Sequence, residues 1–188
     1  MKLENAKVLA ERLVKEMWPH CTEVKIAGSI RRQRPEVKDI EIVAVPNGYQ
    51  LYDWARATTN PVHWIKPGTQ EIIAWQPKPD GKYWRGLITE PGTGAEVKLD
   101  LFLATPENFG VIYTIRTGPA EFSAAIMRYI NEHQNEKQVK DGHLISRASG
   151  MKFAVPDEET FFERIGLRHI APEDRNAERP WNQIMEAR

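Results

Sequence analysis

Two strand-length stretches, "DIEIVAV" at 39–45 and "AEVKLDLFLA" at 95–104, set carboxylates in the middle of apolar alternation. Nothing else in the chain limits its fold as tightly. Side chains at i and i+2 of a strand share a face, so Asp39 and Glu41 project together, about 7 Å apart at the backbone. In the second stretch Val97, Leu99, Leu101 and Leu103 face one way, and Lys98, Asp100 and Phe102 the other. Acids on an apolar strand repel one another and resist desolvation unless a cation compensates them. The residues leave three readings open: a metal site for phosphoryl transfer, a solvated strand face, or a structural ion pair.

The metal reading has a chemical logic. Three carboxylates from two neighbouring strands form a hard oxygen donor set suited to two Mg²⁺ ions, with phosphate oxygens and water completing the octahedra. Such ions lower the pKa of an attacking hydroxyl and neutralise a leaving pyrophosphate. The segment before the acids, "GSIRRQRPEVK", supplies complementary groups. Gly28 lets backbone approach a phosphate, Ser29 offers a hydroxyl and an N–H, and Arg31, Arg32 and Arg34 carry forked donors. Taken singly, a D-x-E pair is common on surface strands and "GSIRR" reads as a basic turn. Asp100 alone reads as a solvent-facing residue beside Lys98. Their combination favours nucleotidyl transfer.

Charge narrows the ways in which nucleic acid can be held. Lys plus Arg and Asp plus Glu each number 26, so the net charge is zero. A protein holding polynucleotide by bulk electrostatics is usually basic, so contacts here are expected from local clusters and to be salt-sensitive. The single Cys21 excludes an internal disulfide and fits a reducing compartment. No run approaches ~18 consecutive apolar residues, and the start "MKLENAKVLAERL" is amphipathic rather than signal-like. The expectation is a soluble, cytoplasmic protein with no membrane partner.

Periodicity orders the rest. Leu3, Ala6, Ala10, Leu13, Val14 and Met17 predict a helix over 3–17, ended by Pro19. "VKIAG" and "DIEIVAV" predict strands. The proline-rich stretch 46–94 contains "EIIAWQ" and "KYWRGLI" around "PKPDG", where Asp80-Gly81 signals a hairpin. Thr105-Pro106-Glu107 predicts a helix start with Thr105 as cap. A helix opens at Pro119, with Phe122, Ile126 and Ile130 on one face. Polar loop and short strands follow, then a short helix in "DEETFFERIGL" stopped near Gly166, and a charged tail anchored by Trp181. Strands in front and helices behind predict an α+β fold.

With these pieces assembled, the chain resembles the family X DNA polymerases, part of the polymerase beta-like nucleotidyltransferase superfamily, over nearly its whole length. "GSIRRQRPEVKDIEIVAVP" is similar to the family's Gly-Ser-x-Arg-Arg stretch and the metal strand after it. "VKLDLFLATPENFGVIYTIRTG" is similar to the strand bearing the third acid and the helix ending in Thr-Gly. "AVPDEETFFERIGLRHIAPEDRN" is similar to the thumb, ending in Pro-x-x-Arg. The resemblance implies a nucleotidyltransferase palm over 1–118, with a mixed β-sheet and flanking helices, and a small α/β thumb over 119–188, without a lyase domain. It implies metal carboxylates Asp39, Glu41 and Asp100, with Asp100 also activating the primer 3′-OH, and two Mg²⁺ ions or Mn²⁺ in their place. Nucleotide contacts would come from Gly28, Ser29, Arg32, Lys38, Thr117 and Gly118, and primer or DNA contacts from Lys98 and Arg128. The implied partners are a nucleoside triphosphate and a primer-template or gapped duplex, bound by a monomer.

The chain also departs from the family pattern. Glu41 replaces an Asp, Lys38 replaces a phosphate-binding Gly, Ile115-Arg116 replace the Tyr-Phe pair screening the sugar, and Ser123 replaces a base-reading Asn. These changes leave a template-independent nucleotidyltransferase as the alternative, and a catalytically silent nucleic-acid-binding scaffold as a second. Trp54, Trp64, Trp75 and Trp84 read as base-stacking platforms or, more simply, as core anchors. Lys137, Lys140, Arg147 and Lys152 read as a duplex-facing patch or as solvated surface, and the histidines show no zinc spacing.

Overall fold

A computed structural model describes residues 1–57, 61–65, 77–90, 93–175 and 178–188. The chain divides into two compact units, Met1–Ala104 and Thr105–Arg188. The fold is α+β, with a mixed five-stranded sheet and flanking helices.

In the first unit, helix α1 (Leu3–Met17) covers the residues its periodicity predicts, and a 3₁₀ turn at Trp18–His20 carries Pro19. Strand β1 (Cys21–Ile26) runs into a single helical turn, α2 (Gly28–Arg31). Then come β2 (Asp39–Pro46), α3 (Gln50–Arg56), β3 (Val62–Ile65), β4 (Tyr83–Thr89) and β5 (Glu96–Leu103). The sheet order is β1-β2-β5-β4-β3, and among the described residues only the β2–β5 pair is parallel.

Alternation on these strands sorts the two faces. Ile40, Ile42 and Ala44 of β2, Val97, Leu99 and Leu101 of β5, and Trp84 and Ile88 of β4 pack with Ala6, Leu9, Ala10, Leu13 and Met17 of α1. Burying this stripe supplies the driving force for the unit, at roughly 25 cal/mol per Å² of apolar surface. The acid-bearing face is the opposite one. Trp64 and Trp84 are buried, their rings edge to face at 5.7 Å, and Trp54 packs edge-on against Trp64. Their indoles donate to the carbonyls of Ala55 (2.8 Å, from Trp64) and Lys78 (3.2 Å, from Trp84), so these rings are core anchors. Trp75 and the "EIIAWQ" arm lie outside the described residues. The described antiparallel partner of β4 outside β5 is β3, with Val62 opposite Ile88.

The second unit consists of α4 (Phe109–Thr117), α5 (Ala120–His133), the hairpin β6 (Lys137–Lys140) and β7 (His143–Ser146), α6 (Glu158–Arg164) and α7 (Pro180–Glu186). Its core joins Val111, Phe122, Ile126, Tyr129, Ile130, Phe161 and Phe162, with Trp181 packed against them. The unit boundary precedes α4, and residue 118, where the family resemblance implies the end of a palm, follows that helix.

The helix expected from Thr105 begins instead at Phe109. The Thr105 N–H and hydroxyl both donate to Asn108 Oδ1, at 2.7 and 3.2 Å, which closes a turn in front of the helix. Asp157 caps α6 by accepting from the Thr160 N–H at 2.7 Å. Arg175 is fully buried: it lies 2.8 Å from Glu158 Oε1, donates to the Ile170 carbonyl, and sits 5.6 Å from the ring centres of Phe122 and Phe162. This buried ion pair gives the Pro-x-x-Arg segment a structural role.

Candidate functional site

Register decides where the three acids lie. Along the parallel β2–β5 ladder Asp39 is opposite Lys98 and Glu41 is opposite Asp100. Paired residues share a face, so all three carboxylates stand on the side of the sheet away from α1, with Lys98 among them. Asp39 and Glu41 are half-buried and Lys98 is exposed, whereas Asp100 is buried.

The other side of β5 supplies two residues that sequence reasoning missed. On the antiparallel β4–β5 ladder Arg85 is opposite Asp100, and Tyr83 is opposite Phe102. Arg85 Nε donates to Asp100 Oδ1 at 2.8 Å, and Nη2 donates to Oδ2 at 3.1 Å. Tyr83 Oη donates to Oδ1 at 2.6 Å. Stacking on Phe102, with ring centres 5.1 Å apart, holds the Tyr83 ring in place. Burial, and then the hydrogen bond to Asp100, push the Tyr83 phenol up from its usual range, so it stays protonated and remains a donor. The Asp100 carboxylate raises the Arg85 guanidinium in turn. The alternation Tyr83, Arg85, Leu87 was a visible signal, but only the strand register matches it to Asp100.

The turn after β1 meets the other acid. The Ala27 N–H bonds to the Glu41 carbonyl at 2.8 Å, extending the β1–β2 ladder up to the turn. Gly28 has φ +61°, in the left-handed region, and a Cβ added there would overlap Glu41 Oε2. Only glycine satisfies both conditions, and it brings the Gly28-Ser29 step directly under the Glu41 carboxylate. The Ser29 hydroxyl is buried with no hydrogen-bond partner. Arg31 and Arg32 are half-buried, and Arg34 and Lys38 are exposed.

The remaining candidates lie in the second unit. Thr117 is buried, and Gly118 follows it at the end of α4. A Cβ at Gly118 would crowd Phe122 Cδ1 at 2.7 Å, which gives this glycine a packing role. Arg128 pairs with Glu132 at 2.8 Å one helical turn on and lies over the Trp181 ring at 4.3 Å. Arg147 donates to Asn131 Oδ1 and to the Gln134 carbonyl, tying the loop after β7 to α5.

The backbone therefore brings Asp39, Glu41 and Asp100 onto one face of neighbouring strands, next to Gly28-Ser29. The side chains are not drawn together: among the described residues no group of three or more His, Cys, Asp or Glu side chains is close enough to hold a metal ion. The charge of Asp100 is met by Arg85 instead. The donor chemistry still suits a hard divalent cation, since all three groups are carboxylates, and the residue after Gly28 carries a buried, unsatisfied hydroxyl. No described helix is long and apolar enough to cross a membrane. No protein-family model matches the chain, and no curated protein matches it in sequence.

Proposed function

We propose that the chain is a minimal nucleotidyltransferase of family X type, with the first unit as its palm, that joins a nucleotide to a primer 3′-OH in gap filling or repair. The observation that carries this reading is the register of Glu41 with Asp100, with Asp39 two residues away and Gly28 packed under Glu41. The unsatisfied Ser29 hydroxyl supports it, because a phosphate oxygen is a natural acceptor for such a group.

In this reading Asp39, Glu41 and Asp100 hold Mg²⁺, which when bound neutralises phosphate charge and acidifies the attacking hydroxyl. Ser29 donates to a phosphate oxygen, Gly28 lets the triphosphate approach the backbone, and Arg32 adds positive charge to the same turn. Lys98, exposed beside Asp100, meets the primer end. A bond forms from the 3′-oxygen to the α-phosphorus, the α–β phosphoanhydride bond breaks, and pyrophosphate leaves. The hydroxyl proton passes to Asp100.

Extension of a gapped or primed DNA in the presence of Mg²⁺ tests the assignment. Asp100→Asn is expected to lower the rate about 100-fold or more, the usual scale for loss of a general base. Unchanged extension would remove Asp100 from the chemistry. A second reading, template-independent transfer, is favoured by Ser123. Its hydroxyl donates to the Ile115 carbonyl at 2.7 Å, where the family resemblance puts a base-reading side chain. Equal incorporation of all four nucleotides opposite each template base would select that reading.

A further inference from the structure

The Asp100 carboxylate is already engaged. A carboxylate offers about four acceptor sites. Three are used: two on Oδ1, by Arg85 Nε and Tyr83 Oη, and one on Oδ2, by Arg85 Nη2. The role proposed above asks Asp100 to ligate a cation and to take a proton, which needs two. One remains. The fork of Arg85 is the group that must leave, because it takes two of the three and brings the positive charge a cation would bring. Its side chain is well placed to do so: it is about two-fifths exposed, whereas Asp100 is nearly closed off from solvent. Tyr83 is fixed by its stack on Phe102 and stays.

We infer that Arg85 is a positioning residue that occupies Asp100 in place of a divalent cation and must swing off it before Asp100 serves as a ligand. The inference rests on the nucleotidyltransferase reading, since that reading makes Asp100 a ligand. In the resting protein Arg85 offsets the charge of an acid placed next to Glu41, which would otherwise face a neighbouring carboxylate in a poorly solvated strand centre. The same contact competes with the cation. Arg85 therefore stabilises the unloaded sheet and weakens metal binding at once.

Binding of Mn²⁺ alone to the full chain, followed by electron paramagnetic resonance, separates the possibilities without any turnover. Arg85→Met is expected to bind Mn²⁺ about tenfold more tightly, the factor expected if the free ligand is populated about a tenth of the time. Arg85→Lys keeps the charge but loses the two-pronged grip, so it should show a smaller gain of the same sign. It also serves as the readout if the Met variant fails to fold by circular dichroism. The gain should vanish in Arg85→Met/Asp100→Asn. If Asp100→Asn weakens Mn²⁺ binding while neither Arg85 variant tightens it, the competition is overturned and the metal reading of Asp100 stands. If Asp100→Asn binds Mn²⁺ as the wild type does and neither Arg85 variant tightens it, both fall together.

Discussion

Cys21 stands at the start of β1 against the core of the first unit, and burial pushes its thiol up to about 12 from an ordinary value of 9.0. The neutral form is thus favoured in the folded state. Below about pH 9 the thiol is protonated whether the chain is folded or not, so this stability is fully present there. As pH rises from 9 toward 12 only the unfolded thiol ionises, and the stability is lost. Thermal unfolding at pH 8 and at pH 10.5 is expected to show a larger drop for the wild type than for Cys21→Ser, and an equal drop would refute the shift. Single residues were unevenly legible. Asp39, Glu41 and Gly28 stood out because acids in an apolar strand and a Gly-Ser step break a local pattern. Arg85 broke none: a charged residue in an alternating strand is ordinary, and its meaning depends on a partner fifteen residues away.

At the scale of elements, the first turn of α4 is set by close backbone approach. The Gly110 N–H donates to the Val155 carbonyl at 2.8 Å, and a Cβ at Gly110 would overlap the Asp157 carbonyl oxygen. Backbone cannot swing aside as a side-chain tip can. Gly110→Ala is expected to cost about 1–3 kcal/mol, the range for overpacking, as measured by denaturant unfolding; a change below a few tenths would refute the contact. The same region shows why the helix starts four residues after its sequence signal at Thr105. Thr-Pro-Glu carries the chemistry of a cap, but Asn108 accepts both Thr105 donors and turns the chain first. Asp141-Gly142, both at positive φ, make the two-residue turn between β6 and β7, as an Asp-Gly step between strand-formers implies. Helix α1 was fully readable because one amphipathic stripe covers one face of a sheet. The sheet order was not, because parallel β2–β5 pairing joins strands separated by about half the first unit.

At the scale of the molecule, each unit has its own apolar cluster, one running from Ala6 to Leu101 and the other from Val111 to Ala187. Truncating one core should therefore leave the other's protection intact. Phe162→Ala is expected to cost about 3–5 kcal/mol. In hydrogen exchange, the amides of Tyr129 and Phe161 should lose protection while those of Ile42 and Leu101 keep it. Uniform loss across both sets would show the units to be one cooperative body. The α+β class was legible from the order of strands and helices, but the boundary was not, because a strand end and a following polar turn leave no linker-like composition at Ala104. That junction is itself sewn into the sheet: the Ala104 N–H bonds to the Ala44 carbonyl at 2.8 Å, just past the end of β5. A pull on the chain at Thr105 is therefore passed first to β5, the strand that bears Asp100, and through its parallel ladder to β2. The covalent tether between the units is thus a mechanical line ending at the carboxylates.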